Sequence, residues 1–426
     1  MKKVLIITYY WPPSGGAGVQ RWLKFVKYLA KFNIEPHVYT PENPEAPAKD
    51  ESLMKDIPKE AVIVKKPIFE PYGFYKKFTG NKKSVNAGFL SENKDSRKKL
   101  TEQLSIWVRG NYFIPDARKF WIKPSIRFLK DYIQKKGIDT IISTGPPHSM
   151  HLIALGLKKQ LGIKWIADFR DPWTNIDFYK DLMLTKASDR KHHRLEREVL
   201  QTADEVITIG KTMACELEEV RGKEVNVITN GYDSDDFNVI DKKKSDYFRI
   251  VHVGSINADR NHQIFWQGLK EICDDNTAFR KSLKIKFIGK LDYSVIESVG
   301  KYELSDKFEQ IEYVTHNKVQ AFLFDSDILY LPLNNTPNAK GILSGKLFEY
   351  LATGKPILGI GHPKGDAAEI MEETKAGVMI DFSDKESLKQ YIISEYTARS
   401  DSSKANMNKR NQYSRESLTK KLIELF

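Results

Sequence analysis

Cysteine is nearly missing from this chain: Cys215 and Cys273 are the two among 426 residues. So distant a pair supplies neither a disulfide framework nor a zinc cluster, and a reducing, cytosolic compartment fits best. No apolar run approaches the roughly 18 residues needed to cross a bilayer. The short run after Met1-Lys2-Lys3 stops at Trp11-Pro12-Pro13 without a small-residue cleavage site. It therefore reads as a first core strand and not as a secretory signal. Zinc-finger spacing and an RNA-binding aromatic signature are also lacking, so no nucleic-acid partner is expected.

Negative charge is in deficit, with 56 Asp and Glu against 68 Lys and Arg, a net charge of +12. That balance implies an anionic partner or surface, whether nucleotide-sugar, lipid or nucleic acid, or else a solvated basic loop. Lysine is densest around Lys76–Lys99, inside a stretch from Phe69 to about Trp121 that mixes basic residues with Phe69, Tyr72, Phe74, Tyr75, Phe78, Trp107, Tyr112, Phe113, Phe120 and Trp121. Such a mixture suits an interfacial membrane element, an acceptor-binding excursion or a helical insertion with a small core of its own.

What is present otherwise is α/β rhythm. Apolar strands are expected at Val4–Thr8, Pro36–Thr40, Ala61–Lys65, Asp139–Thr144, Lys164–Phe169, Glu205–Gly210 and Val225–Thr229. After a polar linker at Asp241–Asp246 the rhythm restarts at Arg249–Gly254, Leu283–Ile288, Ile311–Val314, Ile328–Leu333, Ile357–Ile360 and Val378–Asp381. The expected architecture is α/β: two doubly wound Rossmann-like domains, 1–240 and 241–405, facing across a cleft. Residues 406–426 read as a basic amphipathic helix, with return to the first domain as one arrangement.

Three stretches carry chemistry. Ser344-Gly345-Lys346-Leu347-Phe348-Glu349 opens a short helix that Gly354 and Pro356 end. Small residues at Ser344 and Gly345 let backbone approach a ligand, and the helix amino terminus with Lys346 favours a diphosphate. Glu349, one turn on, can accept two ribose hydroxyls. Any α/β unit contains helix, Gly and strand, so spacing alone does not decide this. The second stretch, Asp168-Phe169-Arg170-Asp171-Pro172-Trp173, sets three charges at a strand's carboxyl end, where open parallel sheets bind ligands. It reads as a structural salt bridge or as a catalytic group facing an acceptor hydroxyl. His148 follows the preceding strand, as a site residue or as a satisfied structural one. The third, Gly15-Gly16-Ala17-Gly18, follows the first strand; the third glycine of a dinucleotide fingerprint is replaced by Arg21. Gly15 and Gly16 are thus expected in a close-approach loop and not in a nicotinamide site. Asp325-Ser326-Asp327 precedes its strand, the wrong sheet edge for a metal site. His192-His193, in a charged helix, reads as solvated.

Together the two α/β halves, the amino-terminal Gly-Gly loop, Asn230-Gly231-Tyr232-Asp233 and the Lys346–Glu349 helix resemble the GT-B-fold glycosyltransferases of family 4, over nearly the whole chain. The resemblance implies retaining transfer from a nucleotide-sugar, taken here as a UDP-sugar, without metal or other cofactor. It assigns Glu349 to the donor ribose, Ser344, Gly345 and Lys346 to the diphosphate, and Gly254 to the loop after the second domain's first strand. Ser255 stands where that loop usually has an arginine, leaving Arg260 as the cation there. Gly341 stands where a sugar-contacting glutamate is usual, which leaves Asn338, Lys340 or backbone. Arg170-Asp171-Pro172-Trp173 resembles a segment of members that transfer amino sugars in cell-surface polysaccharide synthesis, which places Asp171, Asp168 and Arg170 in catalysis. The expected acceptor is a glycan or lipid-linked molecule, at the cytoplasmic face of a membrane with peripheral contact to anionic lipid. A sugar-nucleotide epimerase of the same fold and a non-enzymatic basic binding module are the alternatives.

Overall fold

The computed structural model describes residues 1–45, 49–69, 96–237, 246–312, 316–398 and 407–426. Tyr72, Phe74, Tyr75, Phe78 and most of the expected linker lie outside the described residues. The chain forms two compact units, one of residues 1–229 with 419–426, the other of residues 230–418.

In the first unit, seven strands form one parallel sheet: β1 (Lys2–Ile7), β2 (Ile34–Pro41), β3 (Val62–Lys66), β4 (Thr140–Gly145), β5 (Lys164–Phe169), β6 (Glu205–Thr208) and β7 (Asn226–Val227). Their order is β3-β2-β1-β4-β5-β6-β7, so the winding reverses between β1 and β4. Val4 to Ile7 and Ile141 to Thr144 are buried along their whole length, as inner parallel strands covered on both faces must be. Helices Ala17–Lys31, Lys119–Lys136, Ser149–Leu161, Lys186–Thr202 and Lys211–Arg221 accompany the sheet.

The stretch Phe69–Trp121 does not keep to itself where it is described. A helix spans Ser96–Tyr112, and Trp121, in the first turn of the next, is buried in the unit's main core. Its ring stacks on Tyr39 at 4.9 Å, so the end of this stretch packs into the main core.

The second unit has β8 (Phe248–Val253), β9 (Leu283–Ile288), β10 (Phe308–Ile311), β11 (Ile328–Pro332), β12 (Ile357–Ile360) and β13 (Gly377–Ile380). Their order is β10-β9-β8-β11-β12-β13, all parallel, with the reversal between β8 and β11. The third strand sits three residues before its expected place. Its register pairs Phe308 with Ile285, and Phe308 packs edge-on against Phe287 at 5.4 Å. The two central residues of this short edge strand, Glu309 and Gln310, are polar and exposed, so the apolar cluster further on misled the reading.

Residues after 406 form two short helices, Met407–Asn411 and Arg415–Ile423, instead of one. Between them the chain pairs with Tyr232: the Tyr232 amide donates to the Tyr413 carbonyl at 3.2 Å, and the Arg415 amide to the Tyr232 carbonyl at 2.7 Å.

Candidate functional site

In the second unit the reversal between β8 and β11 opens the carboxyl edge of the sheet, where the loops after the two strands diverge. The helix Gly345–Thr353 lies there. Ser344 caps it, its hydroxyl accepting from the Lys346 amide at 3.3 Å, and Gly354 ends it at φ +73°. Leu347, Phe348, Tyr350 and Leu351 are buried, which turns Lys346 and Glu349 to the half-exposed side. Tyr350 pins the helix to the strand: its hydroxyl accepts from the Val253 amide at 3.0 Å.

Lys346 crosses directly over Gly254. A Cβ built on Gly254, at φ +126°, would lie 2.0 Å from Cε of Lys346 and 2.7 Å from Nζ. Only glycine leaves that lysine its path and tolerates that backbone. Burial lowers the Lys346 ammonium below its ordinary range, Arg260 adds to this, and Glu349 opposes it. Arg260 is held by Asn334, whose side-chain oxygen accepts from Nε at 2.5 Å. These are two cations close enough to disfavour each other in dry surroundings. Ser255 is exposed beside them, and a Cβ on Gly345 would meet open space.

Sequence reading did not find Asn334 or His252. His252 is buried, its Nδ1 meets the Tyr330 carbonyl at 2.8 Å, and burial with the charges of Lys346 and Arg260 lowers its pKa to about 3. It is a neutral side chain beside the two cations. Asp327 accepts from the Arg249 amide at 2.8 Å and Asp325 pairs with Arg249 at 3.1 Å, both at the opposite sheet edge. Among the described residues no cluster of His, Cys, Asp or Glu has metal-ligand grouping.

In the first unit, the loops after β1, β4 and β5 gather at the carboxyl edge. Asp168 is fully buried and its carboxylate is saturated. It accepts from Arg21 Nη2 at 2.9 Å, Trp22 Nε1 at 2.7 Å and Thr144 Oγ1 at 2.8 Å. Burial pushes its pKa up, but Arg21, Arg170 and these donors outweigh that and hold it below the usual range. Arg21 also donates to the carbonyls of Ile228 and Thr229, at 2.9 Å each. Nothing in the sequence joins Arg21 to Asp168; the one hint is an arginine between Val19 and Trp22 on an apolar helix face.

Arg170 donates to the carbonyls of Gly145 and Pro146. A Cβ on Gly18 would lie 2.1 Å from its Nη1, so Gly18 makes room for an arginine. Gly16 stands at φ +109° facing open space, and Gly15 is buried. Asp171 is exposed and makes no hydrogen bond among the described residues. Protein crowding around its carboxyl raises its pKa, Arg170 opposes this, and Asp168 and Asp177 reinforce it. His148 is buried and stacks on Trp173 at 4.5 Å with rings 5° from parallel. His192 is not solvated: it is 3% exposed and accepts from Trp173 Nε1 at 3.1 Å. Lys191, Arg194 and Arg197 around it are exposed, while Glu196 one turn on is buried with it.

Two reversing parallel sheets, one per unit, each with its polar residues at the carboxyl edge, are the GT-B architecture. Residues 233–414 match the family model described as Glycosyl transferases group 1, and residues 89–236 match that of Glycosyltransferase Family 4. The chain is similar to a solved glycosyltransferase from Rickettsia africae (TM-score 0.62, 15% identity, covering 100% of this chain and 97% of that one). It is similar also to S. aureus TarM, solved with fondaparinux, α-GlcNAc-glycerol and UDP (0.58, 10%, 100% and 99%). A third likeness is to a UDP-N-acetylglucosamine 2-epimerase, so described, from Listeria monocytogenes (0.53, 12%, 99% and 95%). No curated protein sequence matches the chain. The structures establish the fold; with the two family models they support a glycosyltransferase. No helix among the described residues is long and apolar enough to cross a membrane.

Proposed function

We propose that the protein moves a sugar from a UDP-sugar to a glycan or lipid-linked acceptor with retention, in cell-surface polysaccharide synthesis, without a metal or other cofactor. The observation that carries this reading is Lys346 laid across Gly254 beside Arg260, at the amino end of a helix that presents Glu349 one turn later. The donor diphosphate would lie against Lys346, Arg260, Ser344, Gly345 and the loop Gly254-Ser255, with Glu349 on the ribose. UDP in the TarM structure supports the choice of nucleotide.

As the bond from the anomeric carbon to the diphosphate breaks, negative charge grows on the leaving oxygen. Lys346, Arg260 and the helix amides stabilise that charge more than they stabilise the intact donor. The acceptor hydroxyl attacks from the face the diphosphate leaves, and a departing phosphate oxygen takes its proton, which gives retention. In the first unit Asp171, whose raised pKa and exposed position suit hydrogen bonding to a hydroxyl, orients the acceptor. Asp168 and Arg170 hold the loops from which Asp171, His148, Gly15 and Gly16 project.

The acceptor side is read from the surface. Phe69, Trp107, Tyr112 and Phe120 are 61, 42, 67 and 43% exposed, and Lys119 lies over the rings of Tyr112, Phe113 and Phe120 at 4.1 to 5.1 Å. Aromatic rings interleaved with cations suit the headgroup layer of an anionic membrane, and the protein is proposed to work at the cytoplasmic face.

Turnover decides between this reading and the epimerase. With UDP-sugar and a glycan or lipid-linked acceptor, UDP should be released and an α-configured donor should give an α-linked product, with EDTA harmless. Conversion of donor alone to its epimer would replace the proposal.

A further inference from the structure

One carboxylate in the first unit joins two segments that the sequence keeps apart. Asp116 Oδ2 accepts from the Ser149 amide at 2.8 Å. Its Oδ1 accepts from the Ser149 hydroxyl at 2.8 Å and from the Arg118 amide at 2.8 Å. Ser149 is fully buried and opens the helix Ser149–Leu161. His148, just before it, makes no side-chain cap, so Asp116 caps this helix from 33 positions away. A carboxylate there satisfies an amide that the helix itself cannot, and it meets the positive end of the helix dipole. The same helix start carries His148, whose ring lies flat on Trp173.

Asp116 belongs to a turn with two sides. Ile114, Pro115 and Ala117 are buried, and Trp121 just beyond them is in the main core. Arg118 extends this inner side to the loop after β1. Its Nη2 donates to the Tyr9 hydroxyl at 3.2 Å, and its guanidinium lies 4.4 Å from the centre of the Tyr9 ring. On the outer side Tyr112 and Phe120 are exposed, with Lys119 over their rings. One side of the turn thus holds the loops after β1 and β4, and the other presents rings and a cation. These contacts fix the exposed side relative to His148.

We propose that Asp116 is a positioning residue of the acceptor site. It fixes the start of the helix Ser149–Leu161, and with it His148, against the ring-and-lysine turn. An acceptor anchored in an anionic lipid surface under that turn is thereby presented to the carboxyl edge of β4. Asp116 touches no substrate; it keeps the lipid contact and the acceptor edge in one register. An acceptor free in solution can enter in any orientation and gains less from that register than an anchored one. The acceptor role rests on the glycosyl-transfer reading; the link between turn and helix does not.

The test sets Asp116→Ala against the wild-type full chain with two forms of acceptor. One is the methyl glycosides of glucose, galactose and N-acetylglucosamine in solution; the other is hexadecyl glycosides of the same sugars in phosphatidylglycerol vesicles. The variant should raise the KM for the vesicle-borne acceptor about tenfold, as loss of a charged hydrogen-bond acceptor does. The KM for the free acceptor should move far less, with kcat and the KM for donor little changed. Formate, small enough to stand in for the lost carboxylate, should restore part of the loss. If Asp116→Ala does not fold, Asp116→Asn, which keeps one acceptor oxygen, makes the same comparison with a smaller effect. Equal rises for both acceptor forms would make Asp116 an ordinary structural contact and overturn the proposal, as would an unmoved KM in a folded variant. Amide hydrogen exchange reads the link without turnover. The Ser149 amide should exchange at least tenfold faster in Asp116→Ala, with binding to the vesicles unchanged. Unaltered exchange would overturn the link. Faster exchange in a protein that transfers no sugar would leave the link standing and remove the acceptor role.

Discussion

Asp168 and Gly254 show how differently two residues at strand ends act. Asp168 is the counter-charge of a buried guanidinium, and its four polar contacts tie β5 to the helix Ala17–Lys31 and to Thr144. Asp168→Asn should destabilise the first unit by about 3–5 kcal/mol, because Arg21 would stay buried without its partner; denaturant titration measures it. The folded pKa of Asp168 lies below its unfolded value, so its contribution is complete above the unfolded pKa of roughly 3.9 and is lost as pH falls through the folded one. Acid unfolding should therefore move to lower sensitivity in Asp168→Asn. Gly254 instead leaves Lys346 its path. Gly254→Ala would place a methyl where Lys346 passes, and donor binding should weaken roughly 10- to 100-fold, the range for losing one charged hydrogen bond, while the melting temperature falls little by comparison. Lys346→Ala should lower kcat about 100-fold, and Glu349→Ala should act mainly on the KM for donor.

At the scale of elements, the helix Gly345–Thr353 depends on its two ends. Ser344→Ala removes the cap from the Lys346 amide and should cost about 1 kcal/mol. Gly354→Ala forces a side chain into φ +73° and should cost about 1–2 kcal/mol. Thermal melts of the second unit's transition measure both. Elements of this kind were legible in the sequence because their signals are local: Ser344, Lys346, Glu349 and Gly354 stand within eleven positions. Inner strands such as Ile357–Ile360 were legible because covering both faces demands an unbroken apolar run. The edge strand Phe308–Ile311 was misplaced because it is short and its two central residues are polar and exposed. Contacts across long sequence separations left no trace. Arg21 to Asp168 spans 147 residues, and the stack of His148 on Trp173 required β4 and β5 to be neighbours first. The misreading of His192 has a similar cause: its neighbours in sequence are charged, but the face it occupies packs on Trp173.

For the whole molecule, the net charge of +12 and the exposed ring-and-lysine surface around Tyr112 and Phe120 bear on the acceptor. Binding to vesicles containing phosphatidylglycerol should fall steeply with salt, and Tyr112→Ala with Phe120→Ala should weaken it several-fold without altering the KM for a soluble donor. Equal binding to neutral vesicles would argue against that surface as a lipid contact. The central claim, a nucleoside diphosphate seat at Gly254, Arg260, Lys346 and Glu349, is tested most directly by thermal stabilisation against UDP, GDP, ADP and dTDP and their sugars, with and without magnesium, at low salt. A ligand bound to the folded state at about 100 times its Kd adds about 2.7 kcal/mol. The account predicts a rise in melting temperature with uridine nucleotides, equal with and without magnesium, and its loss in Glu349→Ala and Lys346→Ala. No rise with any nucleotide, or a rise that survives in both variants, would contradict it.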